Sequence, residues 1–99
     1  MGYHLRPMED QAADPVILSL REEIDAADRD LVAAFARRLR AAAGIRSHKQ
    51  ECGYPLIDPE REQQLLAKWR EANDGTITDE ALLELYETVL TLSKRESAR

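Results

Sequence analysis

The sequence is poor in the residues that covalent and metal chemistry usually require. Its 99 residues include one cysteine, two histidines, four glycines and four prolines. A lone Cys52 cannot form an internal disulfide, and no base accompanies it in its loop, so we interpret it as a passive thiol. The sequence contains no Cys-x-x-Cys, no His-Glu-x-x-His and no glycine-rich phosphate loop. We therefore expect neither a metal nor a cofactor.

The chain also lacks an excess of positive charge and any long apolar run. Its net charge of -5 argues against nucleic acid or an anionic membrane as the main partner. No apolar stretch approaches the roughly 20 residues of a membrane span. Residues 1–15 contain no apolar core of the signal-peptide kind. These absences predict a cytoplasmic protein.

What is present predicts an all-α fold of three helices, one long and two of medium length. Residues 1–13 mix Gly, Pro and charge without periodicity, so we expect a flexible tail followed by one domain at 14–99. Asp14 before Pro15 is typical of a helix start, and no proline interrupts the chain from there to about Gln50. Asp58 before Pro59 starts a second helix to about Ala72. Thr78 caps a third helix that reaches nearly to the C-terminus.

The first helix is too long for its own chain to cover. At about 1.5 Å per residue it spans roughly 50 Å, more than the diameter of a compact domain of this size. Its apolar residues recur with steps of three and four, as in the seam of a coiled coil: Ile17, Leu20, Ile24, Ala27, Leu31 and Ala34. We predict an antiparallel partner helix from a second copy.

Two cations share this apolar stripe further along the helix. Arg38 and Lys49 point within roughly 20° of Leu31, with their Cα atoms about 16 Å apart along the axis. Together they could hold a small anion, although either could instead extend to solvent or pair with an acid. Arg21 lies more than about 25 Å from Arg38 in the same helix, but an antiparallel partner could bring its own Arg21 to the site.

The second helix opens with a charged cluster. Helix capping fully explains Asp58. Arg61 and Glu62 follow within one turn, and spacing alone favours a solvated charged surface for them over a site.

These residues also carry a resemblance to a known family. Leu-Arg-x-x-Ile-Asp-x-x-Asp at 20–28, the Arg38 to Lys49 spacing and Asp-x-x-Arg-Glu at 58–62 are similar to the AroQ class of chorismate mutases. The similarity covers residues 18–97. It implies an intertwined homodimer in which each active site draws residues from both protomers. The implied reaction is the cofactor-free Claisen rearrangement of chorismate to prephenate.

The resemblance also implies residue roles. Arg38, together with Arg21 of the partner subunit, would bind the two carboxylates of chorismate. Lys49 would donate to the ether oxygen of the breaking bond, with Arg61 supporting this cluster of charges. Glu62 and the backbone at Asp58 would hold the ring hydroxyl, and Ser93 would contact a carboxylate. The residues expected to be catalytic are Lys49, Arg38 and Glu62.

One position departs from the family pattern. Ser97 stands where the family usually has Gln or Glu, a second donor to the ether oxygen, and serine is too short to replace it directly. Two alternatives therefore stay open: a mutase or lyase acting on a modified chorismate (4-amino-4-deoxychorismate or isochorismate), and a helical dimerisation module without catalysis. Loss of turnover in a folded Lys49→Ala variant would favour an enzyme over a module.

Overall fold

A computed structural model describes residues 8–99 and contains four helices. They are α1 (Met8–Ala13), α2 (Pro15–Cys52), α3 (Pro59–Ala72) and α4 (Asp79–Ser97). The all-α class is confirmed, and no strand occurs in the described range. None of these helices is long and apolar enough to cross a membrane.

The helix count is a correction to the sequence analysis, which expected three helices after a flexible tail. Residues 1–7 of that tail lie outside the described residues, whereas residues 8–13 form α1. The reason is local: the segment MEDQAA consists mainly of strong helix formers and contains neither Gly nor Pro. Asp14 then interrupts the helix just before Pro15, since a proline ring disfavours helical geometry in the residue that precedes it.

The described chain forms two compact units, which divide within α2 between Ala36 and Arg37. In the first unit Asp14 caps α2 as predicted, because its Oδ1 accepts from the backbone N–H of Val16 at 2.9 Å and of Ile17 at 3.3 Å. The apolar seam of this unit is open to solvent, with Ile24 57% and Leu31 64% exposed. A domain spanning 14–99 stays a prediction.

In the second unit α2 ends two residues later than predicted, in a glycine cap. Gly53 adopts a φ of 75°, and the N–H of Tyr54 donates to the carbonyl oxygen of Lys49 at 2.9 Å. This is the Schellman arrangement, which satisfies a carbonyl of the last helical turn. It fixes the backbone of Lys49.

The starts of α3 and α4 follow the predicted caps. Asp58 Oδ1 accepts from the backbone N–H of Arg61 at 3.2 Å, and Thr78 Oγ1 accepts from that of Ala81 at 3.2 Å. Between the helices, Asn73 Nδ2 donates to the carbonyl of Ile77 at 2.7 Å. The two capping bonds satisfy N–H groups that lack a backbone partner at the helix starts, and the Asn73 bond closes the turn between α3 and α4.

The core of the second unit lies where α3 meets α4. Leu82 and Tyr86 are buried, with 4% and 6% exposure. The ring of Trp69 meets that of Tyr86 edge to face, with 5.4 Å between centroids, a favourable aromatic geometry. At the surface, Arg70 Nε donates to Asp79 Oδ1 at 3.0 Å. This packing sets the register of the two helices.

Candidate active site

A cleft of about 340 Å³ opens within the second unit, between the end of α2, the α2–α3 loop, α3 and α4. It is lined by Arg38, Ala41, Ala42, Ile45, Arg46, Lys49, Leu56, Arg61, Leu65, Leu90, Ser93, Lys94 and Ser97. Apolar walls with a few convergent polar groups are typical of a site for a small molecule.

The charge of this cleft is opposite to that of the chain. Five of the lining residues are cationic, and no carboxylate lines the cleft in the described part of the chain. The whole sequence, by contrast, carries a net charge of -5. Cations gathered over apolar walls favour a small anionic ligand, because the field is stronger where water is partly excluded.

Arg38 is the most firmly oriented of these cations. Its Nη1 donates to Ser93 Oγ at 2.5 Å, a contact between α2 and α4. Ser93 is only 4% exposed, and Arg38 is half-buried. A buried hydroxyl thus holds the guanidinium and leaves its other N–H groups available to a ligand. The sequence analysis singled out both residues, and the structure brings them together.

Lys49 and Arg61 line the cleft from the ends of two helices. Lys49 is half-buried in the last turn of α2, and Arg61 is exposed in the first turn of α3. Asp58 does not line the cleft; its carboxylate caps α3. Arg21 lies in the first unit, where it is exposed, and is likewise not among the lining residues.

Glu62 stands at the edge of the cleft rather than in its lining. Its Oε1 accepts from Lys94 Nζ at 2.7 Å, and its backbone carbonyl accepts from the hydroxyl of Tyr86 at 2.8 Å. Both partners belong to α4. The carboxylate of Glu62 is therefore tied to a lysine that itself lines the cleft.

Ser97 also lines the cleft, and it remains inside α4 despite its position near the C-terminus. The neighbouring Glu96 does not line the cleft. Its carboxylate accepts from Arg99 Nη1 at 2.8 Å and from Arg95 Nε at 3.3 Å. The hydrogen bond from Arg99 lowers the pKa of Glu96. Glu96 is thus engaged elsewhere and does not replace the side chain that the family carries at position 97.

Two lining cations, Arg46 and Lys94, were missed by the sequence analysis. Arg46 lies about 60° around the helix from the direction of Leu31, outside the narrow stripe that was considered. It follows Arg38 by eight residues, which places it about 80° around the helix from Arg38. Lys94 gives no such signal in the sequence, because its position depends on how α4 packs.

Comparison with known proteins identifies the class of protein to which this chain and its fold belong. Residues 20–98 match the family described as chorismate mutase type II. Chorismate mutase form II from Thermus thermophilus has a TM-score of 0.77 at 30% identity, covering 84% of this chain and 94% of that one. Form I from the same organism gives 0.73 at 31% identity, covering 78% and 96%.

Two curated relatives are longer proteins. The T-protein of Haemophilus influenzae is 39% identical over 79 residues, and that of Enterobacter agglomerans is 33% identical over 81 residues. The chain spans about a fifth of the length of each, 20% and 21% respectively. The matched family covers most of this sequence, and the chain belongs to the chorismate mutase type II family, a family of isomerases of the AroQ class.

Proposed function

We propose that this protein converts chorismate to prephenate without a cofactor, in active sites shared between the two chains of a homodimer. The observation that carries the proposal is the cleft with five cationic lining residues and no lining carboxylate among the described residues. Chorismate is a dicarboxylate, and its rearrangement is unimolecular. Such a reaction needs fixed positive charge and a shaped pocket, but no nucleophile.

The first task of the site is to hold the substrate in its reactive shape. Arg38 binds one carboxylate through N–H groups that Ser93 does not use, and Arg21 of a second copy binds the other. A planar guanidinium fits a carboxylate with two parallel hydrogen bonds. Clamping both carboxylates brings the enolpyruvyl group over the ring, which removes much of the entropic barrier.

The second task is to stabilise the charge that develops as the ether C–O bond breaks and the new C–C bond forms. Lys49 donates to the ether oxygen, and Arg61 adds positive charge nearby. The glycine cap of α2 fixes the backbone from which Lys49 extends, and a donor placed before the charge develops stabilises that charge most effectively. Glu62 and the backbone at Asp58 bind the ring hydroxyl.

The exposed seam of the first unit supports the proposal of a dimer. Its seam residues Leu20, Ile24 and Leu31 are 53, 57 and 64% exposed, in a periodic stripe along one helix. Contiguous apolar surface of this kind favours association. In an antiparallel pair the start of one α2 lies near the end of the other, which carries Arg21 to the partner's cleft.

The test is turnover of chorismate with product identification, for the wild type and for Lys49→Ala. We expect prephenate from the wild type and a fall in kcat of roughly 10²–10³ for the variant, the usual cost of one donor to a developing oxyanion. Lys68→Ala is the matched control, since Lys68 is an exposed lysine that does not line the cleft.

Each alternative predicts a different result. Turnover of 4-amino-4-deoxychorismate or isochorismate in place of chorismate would assign a modified substrate. No turnover of any of the three compounds would leave a helical dimerisation module, in which Lys49→Ala has no functional consequence.

A further inference from the structure

Lys94 and Glu62 form an ion pair at the cleft, and the rearrangement itself does not require such a pair. Lys94 Nζ lies 2.7 Å from Glu62 Oε1, and Lys94 lines the cleft. An ammonium carries three N–H donors and a carboxylate about four acceptor positions, so one mutual bond leaves both groups with capacity to spare. The pair can therefore offer a ligand one donor and one acceptor side by side.

The pair is held in place from α4. The hydroxyl of Tyr86, a side chain only 6% exposed, donates to the Glu62 backbone carbonyl at 2.8 Å. Lys94 follows Ser93, which is buried and bonded to Arg38. The backbones of both residues are thus held beside well-packed neighbours, and the packing of α3 against α4 sets their relative position, while the Lys94 side chain is held by the ion pair itself.

We propose that Lys94 determines substrate specificity: through its ion pair with Glu62 it favours a substrate with a ring hydroxyl over one with a ring ammonium group. This inference rests on the proposed function. A hydroxyl both donates and accepts, so it can donate to Glu62 and accept from Lys94 at once. An ammonium group has no lone pair and meets the positive charge of Lys94.

The net charge of the pair also favours a hydroxyl over an ammonium group. With Lys94 present the pair is neutral, and the carboxylate gains little from a cationic ligand. Without Lys94 the Glu62 carboxylate loses its ion-pair partner and attracts a cation more strongly. Without the carboxylate, the lysine repels one. Removing either member should therefore shift substrate preference in opposite directions, an outcome that a purely structural role of the pair does not produce.

The experiment measures kcat/KM of the full-length protein for chorismate and for 4-amino-4-deoxychorismate, whose ring amine is protonated at neutral pH. The variants are Lys94→Met, Lys94→Arg and Glu62→Gln, with Lys68→Met as the matched control on an exposed lysine outside the cleft lining. Circular dichroism establishes folding of each. The quantity compared is the ratio of the two kcat/KM values, hydroxyl compound over amino compound.

We expect Lys94→Met to lower this ratio roughly five- to tenfold, a modest effect because the pair is partly exposed to solvent. Glu62→Gln should raise it, and Lys94→Arg and Lys68→Met should leave it within about twofold of the wild type. The raised ratio of Glu62→Gln keeps the test decisive if Lys94→Met does not fold.

The outcomes that contradict the inference are of two kinds, and they are distinguishable. A ratio unchanged in Lys94→Met, or a ratio unchanged or lowered in Glu62→Gln, overturns the role of Lys94 while leaving the mutase intact. Failure of the wild type to turn over either compound contradicts the proposed function itself, and the inference falls with it.

Discussion

The two units of the chain differ in how their apolar side chains are covered. In the second unit Leu82 and Tyr86 are 4% and 6% exposed, and aromatic packing of Trp69 on Tyr86 joins α3 to α4. In the first unit Ile24, Leu31 and Val32 are 57, 64 and 71% exposed. A helix with an open apolar stripe gains most of its stability from packing. On the proposed account the first unit depends on association, whereas the second unit has a core of its own.

The units differ in chemistry as well. The second unit holds the cleft with its five lining cations. The first unit contributes a single candidate, Arg21, which is exposed in one chain. On the proposed account the open seam of the first unit is what delivers Arg21 to a neighbouring cleft. The stability of the dimer and its activity should then respond together to changes in the first unit, but separately to changes in the second.

The largest effect is expected for Leu31→Asp, which places a charge in the open seam. A buried unpaired carboxylate opposes association, so size-exclusion chromatography should show monomers. Prephenate formation should fall by roughly 10²–10³-fold or more, because each cleft then lacks Arg21. Ala33→Asp is the control, since it adds the same charge about 160° around the helix. A dimeric, active Leu31→Asp protein would contradict the claim that the seam of the first unit forms the dimer.

Leu82→Ala tests whether the core of the second unit is independent of the seam of the first unit. Removing a buried leucine leaves a cavity, and we expect a loss of about 2–5 kcal/mol in the free energy of unfolding. The variant should still dimerise and should retain its cleft at temperatures well below its melting point. Thermal denaturation together with size-exclusion chromatography checks this. Dissociation of Leu82→Ala into folded monomers would mean that the core and the seam are not separate.

The smallest of these effects is expected for Arg38→Lys. The change keeps the charge but removes the planar fork that can bind a carboxylate while donating to Ser93. We expect kcat/KM to fall roughly 10–100-fold, with no change in dimerisation and a small fall in melting temperature, because the bond to buried Ser93 is lost. Steady-state kinetics, size-exclusion chromatography and thermal denaturation followed by circular dichroism measure the three quantities. Arg40→Lys, an exposed position on α2 outside the cleft lining, is the matched control.

Much of the fold could be predicted from local signals. The Asp14–Pro15 and Asp58–Pro59 pairs placed two helix starts because capping and the fixed proline φ act within a few residues. The end of α2 was misplaced by two residues because the helix continues up to the positive φ of Gly53. Helix α1 was missed because a short segment of good helix formers gives no amphipathic pattern.

Residues of the candidate site could be predicted from the sequence where they follow the helical periodicity or match the family pattern. Arg38, Lys49, Arg61, Ser93 and Ser97 were named from the sequence, and all of them line the cleft. Lys94 could not be found this way, since its contact with Glu62 depends on the register of α3 against α4. The position of Glu62 at the edge of the cleft is likewise a product of tertiary packing, which spacing along one helix does not encode.

The most direct test of the account is complementation between two inactive variants, Arg21→Ala and Lys49→Ala. The purified proteins are mixed in equal amounts, dissociated and reassociated, and prephenate formation is measured. With shared sites, half of the dimers are mixed and each mixed dimer contains one intact site, so about a quarter of the wild-type rate should return. A mixture no more active than the sum of its two components would contradict the sharing of active sites between chains.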